Sequence, residues 1–423
     1  MKPNAIISFT GPKDIQAGIS LTGSKSESNR ALVIAALSGG VVKAENLSDA
    51  ADTVTLQRIL KELETPAAGL RTVNVGHAGT AMRFLTAYLS TIHEEFLLTG
   101  SSRMQERPIG ILVDALKSIG ADISYTKNDG YPPLHIKGGL NAPSAEVFIK
   151  GNVSSQYLSA LLIIASSLTN GLTLHIEGGL TSRPYLEMTL DMLAAAGISH
   201  TWTADTIRIE KQNHQPATLT VEPDWSAASY WYSIASLADN AVINLSNLRQ
   251  ESLQGDSQIQ ELMIDLGVRT AHIQGGISLK SGTSQQIDQI IDLKNCPDLA
   301  QTIIVCAAAK GLNLAFTGLE TLKIKETNRV LALQQELAKI GVLLKEEQEI
   351  YTLDCSQLAF PEKVTFCTYD DHRMAMAFAP LSLLIKEVEI EDYHVVEKSY
   401  PDFWKDLEIA GFTVKEVETL IHS

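Results

Sequence analysis

Gly23-Ser24-Lys25-Ser26-Glu27-Ser28-Asn29-Arg30, running into Ala31-Leu32-Val33-Ile34-Ala35-Ala36-Leu37, is a small polar head on an apolar, alanine-rich helix that Gly39-Gly40 stops. The same design returns at Gly76-His77-Ala78-Gly79-Thr80-Ala81-Met82-Arg83 and at Gly151-Asn152-Val153-Ser154-Ser155-Gln156. Further copies are Glu222-Pro223-Asp224-Trp225-Ser226, Cys296-Pro297-Asp298 and Tyr369-Asp370-Asp371-His372-Arg373. Anchors at 76, 151, 223, 296 and 369 lie 75, 72, 73 and 73 residues apart, while the first interval, from 23 to 76, is only 53. Near-constant spacing of this kind marks internal duplication.

Each unit carries a second, amphipathic helix that closes on glycine: Ile109 to Ile119, Leu186 to Ala196, Ile259 to Leu266, Leu331 to Ile340 and Asp402 to Ala410, with Thr53 to Leu63 a looser first copy. Short β-branched runs such as Leu172-Thr173-Leu174-His175-Ile176 lie between the helices. The unit is therefore two helices with about four short strands. The first helix of each pair is apolar all round and has to be buried between a sheet and the second helices. Three units make one α/β domain and six make two. The opening residues lack a partner strand nearby, and pairing them into the C-terminal half divides the chain into domains 1–17 plus 226–423 and 18–225.

A chain of 423 residues, 45% hydrophobic and 20% charged, has the composition of a soluble globular protein of two or three domains. No apolar run is long enough to span a membrane, and the N-terminal residues lack the apolar core of a secretory signal. Four widely spaced cysteines form no metal or disulfide framework, which fits a reducing cytoplasm. The net charge of −15 argues against a nucleic-acid surface.

Within this acidic chain the cations gather at the helix heads and adjoining loops: Lys25, Arg30, Arg83, Arg107, Arg183, Lys323, Lys325, Arg329, Arg373 and Lys398. Free N–H groups at a helix start favour an anion by about 0.3–1 kcal/mol per well-placed charge. Cations there point to multivalent phosphates or carboxylates, with arginine as the bidentate clamp. In Lys325-Glu326-Thr327-Asn328-Arg329, read as a helix head, Lys325 and Arg329 share a face with Glu326 beside them. Asp298 is either a helix cap or a base, and Glu326 beside Lys325 is placed for proton transfer. His372 is a shuttle or a hydrogen-bond donor. No Walker sequence, metal-ligand spacing or cofactor motif appears.

Together these motifs resemble the 5-enolpyruvylshikimate-3-phosphate synthase family. Lys25-Ser26 with Arg30 is similar to its opening lysine motif, Gly79-Thr80-Ala81-Met82-Arg83 to its phosphoenolpyruvate loop, and Arg107-Pro108 to its arginine segment. Ser154-Ser155-Gln156 with Ser182 and Tyr185 resembles the block that holds the shikimate phosphate. Asp298, Lys325-Glu326, Arg329, Asp371-His372-Arg373 and Lys398 match the second domain. The resemblance runs from about residue 20 to 405.

It implies a two-domain inside-out α/β barrel, each domain three βαβαββ repeats, with buried parallel helices pointing their N-termini at an interdomain cleft. It implies transfer of the enolpyruvyl group of phosphoenolpyruvate to the 5-hydroxyl of shikimate-3-phosphate by a cytoplasmic monomer, without cofactor, metal, nucleic-acid or membrane partner. On that reading Arg107, Arg329 and Arg373 hold phosphoenolpyruvate, with Lys25, Lys398, Gly79 and Thr80 assisting. Ser26, Arg30, Ser154, Ser155, Gln156, Ser182 and Tyr185 seat the shikimate ring and its phosphate. Asp298 takes the hydroxyl proton, and Glu326 and Lys325 serve proton transfer, with Lys25 and His372 also in the catalytic set. Glyphosate inhibition follows too, with Gly79 leaving room for the phosphonate.

His77, Thr321 and Asn328 depart from the family's usual asparagine, asparagine and aspartate. A related enolpyruvyl transferase acts on UDP-N-acetylglucosamine with a reactive cysteine before its arginine-proline pair. The loop Gly100-Ser101-Ser102-Arg103-Met104-Gln105-Glu106-Arg107-Pro108 contains none. A silent anion-binding protein on the same scaffold has no use for Asp298 and Glu326 beside the ligand.

Overall fold

In a computed structural model, which describes residues 3–284 and 290–417, the helices alternate between buried and half-wet, as the sequence pattern requires. In chain order they are α1 (Lys25–Leu37), α2 (Ala51–Leu63), α3 (Gly79–Thr91), α4 (Gly110–Ser118), α5 (Ser155–Ala165) and α6 (Arg183–Ala195), then α7 (Trp225–Leu237), α8 (Ile259–Leu262), α9 (Ala300–Ala309), α10 (Arg329–Ala338), α11 (His372–Phe378) and α12 (Phe403–Ile409). Every residue of α9 and α11 is buried, whereas α2 alternates buried Leu56, Ile59 and Leu60 with exposed polar positions. The expected helix from Ile259 to Leu266 is helical only to Leu262. Beyond it Ile264 N–H turns to Glu261 O and Gly267 N–H to Ile264 O, three residues back, which tightens the chain into turns.

The chain forms two compact units: one holds the residues through Thr22 together with those from Glu222 onward, the other Gly23–Val221. In the second unit, parallel strands Leu70–Asn74 and Glu95–Thr99 are joined through α3, and a hairpin follows α4. The hairpin strand Leu134–Lys137 pairs antiparallel with Glu95–Thr99, leaving Asp122–Tyr125 at the edge. Glu146–Lys150, Leu172–Glu177, Thr206–Ile209 and Thr201–Thr203 repeat that order around α5 and α6. The third sheet is only the parallel pair Ala217–Thr220 and Val42–Glu45. Its missing hairpin accounts for the short first repeat interval.

In the other unit, among the described residues, each of three sheets has four strands. Asp14–Ile19 pairs parallel with Asn240–Ser246, and Asn4–Ser8 lies antiparallel between Glu387–Ile390 and Thr413–Val417. The third sheet, around α9 and α10, runs Ile290–Asp292, Ala315–Thr317, Ile350–Asp354, Leu343–Glu347. The strand Glu146–Lys150 alternates, with Val147 and Ile149 pointing inward. The architecture is thus a two-domain α/β fold of repeated βαβαββ-like units. Among the described residues, no helix is long and apolar enough to cross a membrane and no cluster of acidic, His and Cys side chains could hold a metal ion.

Candidate active site

Arg329 is the hub of the unit that holds the residues from Glu222 onward. Asn328 caps α10 by accepting the Leu331 N–H at 3.1 Å, so the helix starts at Arg329 itself. Lys325 ends a preceding 3₁₀ turn, Glu320–Ile324, in a non-helical conformation. The expected helical face shared by Lys325 and Arg329 is therefore not formed, because the cap, Asn328, falls inside the stretch read as the helix head. Glu326 still reaches Arg329, with Oε2 2.8 Å from Nη2.

The Arg329 side chain is only 2% exposed and spends its fork on three acids. Nε donates to Asp371 Oδ2 at 2.7 Å and Nη1 to Asp298 Oδ1 at 3.1 Å. Asp371 also caps α11 by accepting the Arg373 N–H at 2.9 Å. Arg373 in turn lies 2.9 Å from the second oxygen of Asp298 and donates to Tyr230 Oη at 3.3 Å and to Ser226 Oγ at 3.5 Å. Asp298, just before α9, thereby bridges two arginines, and the heads of α7, α9, α10 and α11 meet. His372 is buried beside Asp371, its Nδ1 3.9 Å from Oδ1. Lys398 holds Asp370, at 2.6 Å from its carbonyl oxygen and 3.0 Å from its carboxylate.

These contacts set the charge states. Burial works to raise the Asp298 pKa, yet Arg373, Lys325 and Arg329 outweigh it and hold the carboxyl well below its ordinary value. Burial likewise works against the Arg329 cation, but Asp371, Glu326 and Asp298 keep it above the usual arginine value. Tyr230 is pushed up to about 12 by burial.

The other unit assembles its own set. Ser24 caps α1, whose Lys25 sits 3.5 Å from Asp52. Arg30 is buried and binds Thr189 Oγ1 at 2.8 Å, Ser26 O at 2.9 Å and Ser159 Oγ at 3.0 Å, and burial lowers its pKa to about 10. It joins α1 to α5 and α6, with the Tyr185 ring 5.7 Å away. Gln156 donates to Thr80 Oγ1 at 3.0 Å, which brings the heads of α3 and α5 together. Ser154 caps α5, Ser155 opens it, and Ser182 precedes α6 in the left-handed region at φ 54°. The Arg107-Pro108 segment is fixed through the Pro108 carbonyl, which accepts from Tyr157 Oη at 2.6 Å and Arg83 Nη2 at 3.3 Å. A Cβ on Gly79 would fall 2.6 Å from Arg107 Nη1.

Of the departing residues, His77 is exposed and faces Ser101 Oγ at 3.2 Å, and Asn328 is the cap already described. Four members of the cluster escaped the list of expected site residues: Asp371, Ser226, Tyr230 and Asp256. The first three lie at or just inside a polar head, so the repeat itself was a signal for them. Asp256 lies in the 3₁₀ turn Gly255–Gln258, outside every head, and no sequence pattern marks it.

The profile of EPSP synthase (3-phosphoshikimate 1-carboxyvinyltransferase) matches residues 9–70 and 64–407. A 3-phosphoshikimate 1-carboxyvinyltransferase of Bacteroides fragilis is 46% identical over 411 residues, covering 96% of this chain and 98% of the relative. Enzymes of the same name from Aliivibrio fischeri and Methanospirillum hungatei are 36% and 33% identical, over 93% and 91% of this chain and 96% and 93% of those relatives. A solved EPSP synthase from Acinetobacter baumannii superposes with a TM-score of 0.76 at 20% identity, over 98% of this chain and all of that one, which speaks for the fold. With a full-length profile match and relatives this similar along almost the entire sequence, the chain belongs to the EPSP synthase family.

Proposed function

We propose that the Asp298–Arg329–Glu326–Arg373 cluster is the reacting centre of an enolpyruvyl transfer from phosphoenolpyruvate to shikimate-3-phosphate. The 5-hydroxyl oxygen adds to C2 of phosphoenolpyruvate while C3 gains a proton. The tetrahedral adduct then loses a C3 proton and the phosphate, leaving the enolpyruvyl ether and inorganic phosphate. The observation that carries this reading is that two carboxylates, Asp298 and Glu326, both lie within hydrogen-bond distance of Arg329, while Asp298 also reaches Arg373. An acid and a base are thereby held against an anion clamp.

Arg107, Arg329 and Arg373 bind phosphoenolpyruvate, assisted by Lys25, Lys398, Gly79 and Thr80. The fold that goes with this reading is the inside-out α/β barrel, each domain built of three βαβαββ repeats. Ser26, Arg30, Ser154, Ser155, Gln156, Ser182 and Tyr185 seat shikimate-3-phosphate on the domain of residues 18–225. Asp298 takes the hydroxyl proton. Without ligand its arginine partners make it a weak base. An incoming anion draws Arg373 and Arg329 toward itself, which raises the Asp298 pKa at the moment a base is needed. Glu326 and Lys325 exchange protons at C3, with Lys25 and His372 also in the catalytic set. The protein acts as a cytoplasmic monomer and uses no cofactor, nucleic acid or membrane.

The test is phosphate release from phosphoenolpyruvate plus shikimate-3-phosphate, with UDP-N-acetylglucosamine as control acceptor. Release with the control alone sinks the reading.

A further inference from the structure

One buried acid in this cluster has no part in the reaction as written. Asp256 is 3% exposed, and its Oδ2 accepts a short hydrogen bond from Ser226 Oγ. Its Oδ1 is buried with no hydrogen-bond partner among the described residues. Ser226 Oγ also lies 3.5 Å from Arg373 Nη2, the nitrogen that sits 2.9 Å from Asp298 Oδ2. One guanidinium nitrogen is thus shared between Asp298 and the Ser226–Asp256 pair. A merely structural acid, such as Asp371, has both oxygens occupied by Arg329 and a backbone N–H.

We propose that Asp256 is a positioning residue for the reaction: acting through Ser226, its carboxyl sets how Arg373 is divided between Asp298 and the incoming phosphoenolpyruvate anion. This rests on the function proposed above. The groups around it are Asp224 and Ser226 from the start of α7, Cys296 and Asp298 ahead of α9, and Arg373 on α11, with Lys325, Glu326 and Arg329 beyond Asp298. Burial and the Asp298 charge raise the Asp256 pKa to about 7, against the pull of Arg373 and the Ser226 hydroxyl. Near neutral pH the residue therefore changes charge. Protonated, it leaves Arg373 to Asp298 and the substrate. Ionised, it adds a negative charge beside the clamp, which competes for the guanidinium and repels an incoming anion.

The experiment follows kcat and KM for phosphoenolpyruvate from pH 5.5 to 9 in the parent, Asp256→Asn and Ser226→Ala, alongside the infrared band of the protonated carboxyl. The parent KM should rise about tenfold as pH passes through neutrality, the size of effect one nearby charge exerts at a protein site. In Asp256→Asn, which keeps an acceptor for Ser226, the step should vanish while kcat changes far less than KM. Ser226→Ala removes a hydrogen bond that favours the ionised form, so the step and the band should both move to higher pH. Parallel KM profiles in parent and Asp256→Asn overturn the proposal, as does a band with no neutral-pH titration that Asp256→Asn removes. The band is read without turnover. A parent that releases no phosphate therefore refutes the reaction, while the carboxyl assignment stands or falls on the band.

Discussion

The guanidinium of Arg107 lies over the α-carbon of Gly79, so closely that a Cβ there would come within 2.6 Å of Nη1 and 3.2 Å of both Cζ and Nη2. The group that a side chain at position 79 meets first is the Arg107 guanidinium. Arg107 is the far end of a flexible chain and can retreat by part of an ångström. That retreat changes where an anion's oxygens fit.

Gly79→Ala is therefore expected to raise KM for phosphoenolpyruvate modestly and the glyphosate inhibition constant by about ten times more, since glyphosate is one chain atom longer between carboxylate and phosphorus and has less room to shift. Inhibition and KM measured in both proteins decide the matter. Equal weakening rejects the account.

Glu326→Gln keeps the size of the side chain and its contact with Arg329 but removes the titratable carboxyl. If Glu326 moves protons at C3, kcat falls by about 10²–10⁴-fold with little change in KM. Exchange of the C3 hydrogens of phosphoenolpyruvate with deuterated solvent, in the presence of shikimate-3-phosphate, should nearly cease. Exchange at the parental rate would falsify the role.

Asp371→Asn should destabilise the fold by about 1.5–3 kcal/mol, because the 2.7 Å partner of the buried Arg329 loses its charge while Asp298 and Glu326 remain. Adding Arg329→Met to the same chain should deepen the loss, because Asp298 and Glu326 then lose the cation they share. Denaturant midpoints of the parent and both variants test this, and a double mutant as stable as the parent would contradict it.

Asp256 should also leave a mark on stability. Its folded pKa, about 7, is raised from an ordinary value of 3.8, so the buried acid binds its proton more tightly than the unfolded chain does. Its contribution is fully present below pH 4 and is lost as pH rises through 7. Asp298, whose pKa is depressed, loses its contribution only as pH falls below its ordinary range, outside that window. The stability difference between parent and Asp256→Asn should therefore shift against the parent between pH 4 and 8. A difference independent of pH rules out the raised pKa.

Much of this was legible from residues alone, and the reason is geometric. A helix that must be buried on all sides exposes only its head, so the polar-to-apolar boundary at Ser155, Thr80 or Arg373 marks where chemistry can occur. The limits were equally physical. The start of α10 was misjudged because Asn328, a strong cap, outcompeted a lysine and a glutamate that a helix would also accept. The short α8 was overextended because its apolar residues keep helical spacing while the backbone has already turned. Asp256 was invisible because its role comes from a fold in space, with neighbours 30 or more residues away in sequence at Ser226, Asp298 and Arg373.

The strand Asn4–Ser8 pairs with two segments that come last in the chain, Ala5 standing opposite both Ile390 and Glu416. A ribosome releases the first strand long before its neighbours exist. Residues 23–221 have their own sheets complete once Ala217–Thr220 is made, and can fold while synthesis continues. The opening strands must wait, unpaired, for almost the whole of translation. Asn4 then lies beside Val417, so that a strand translated late closes the sheet around one made early.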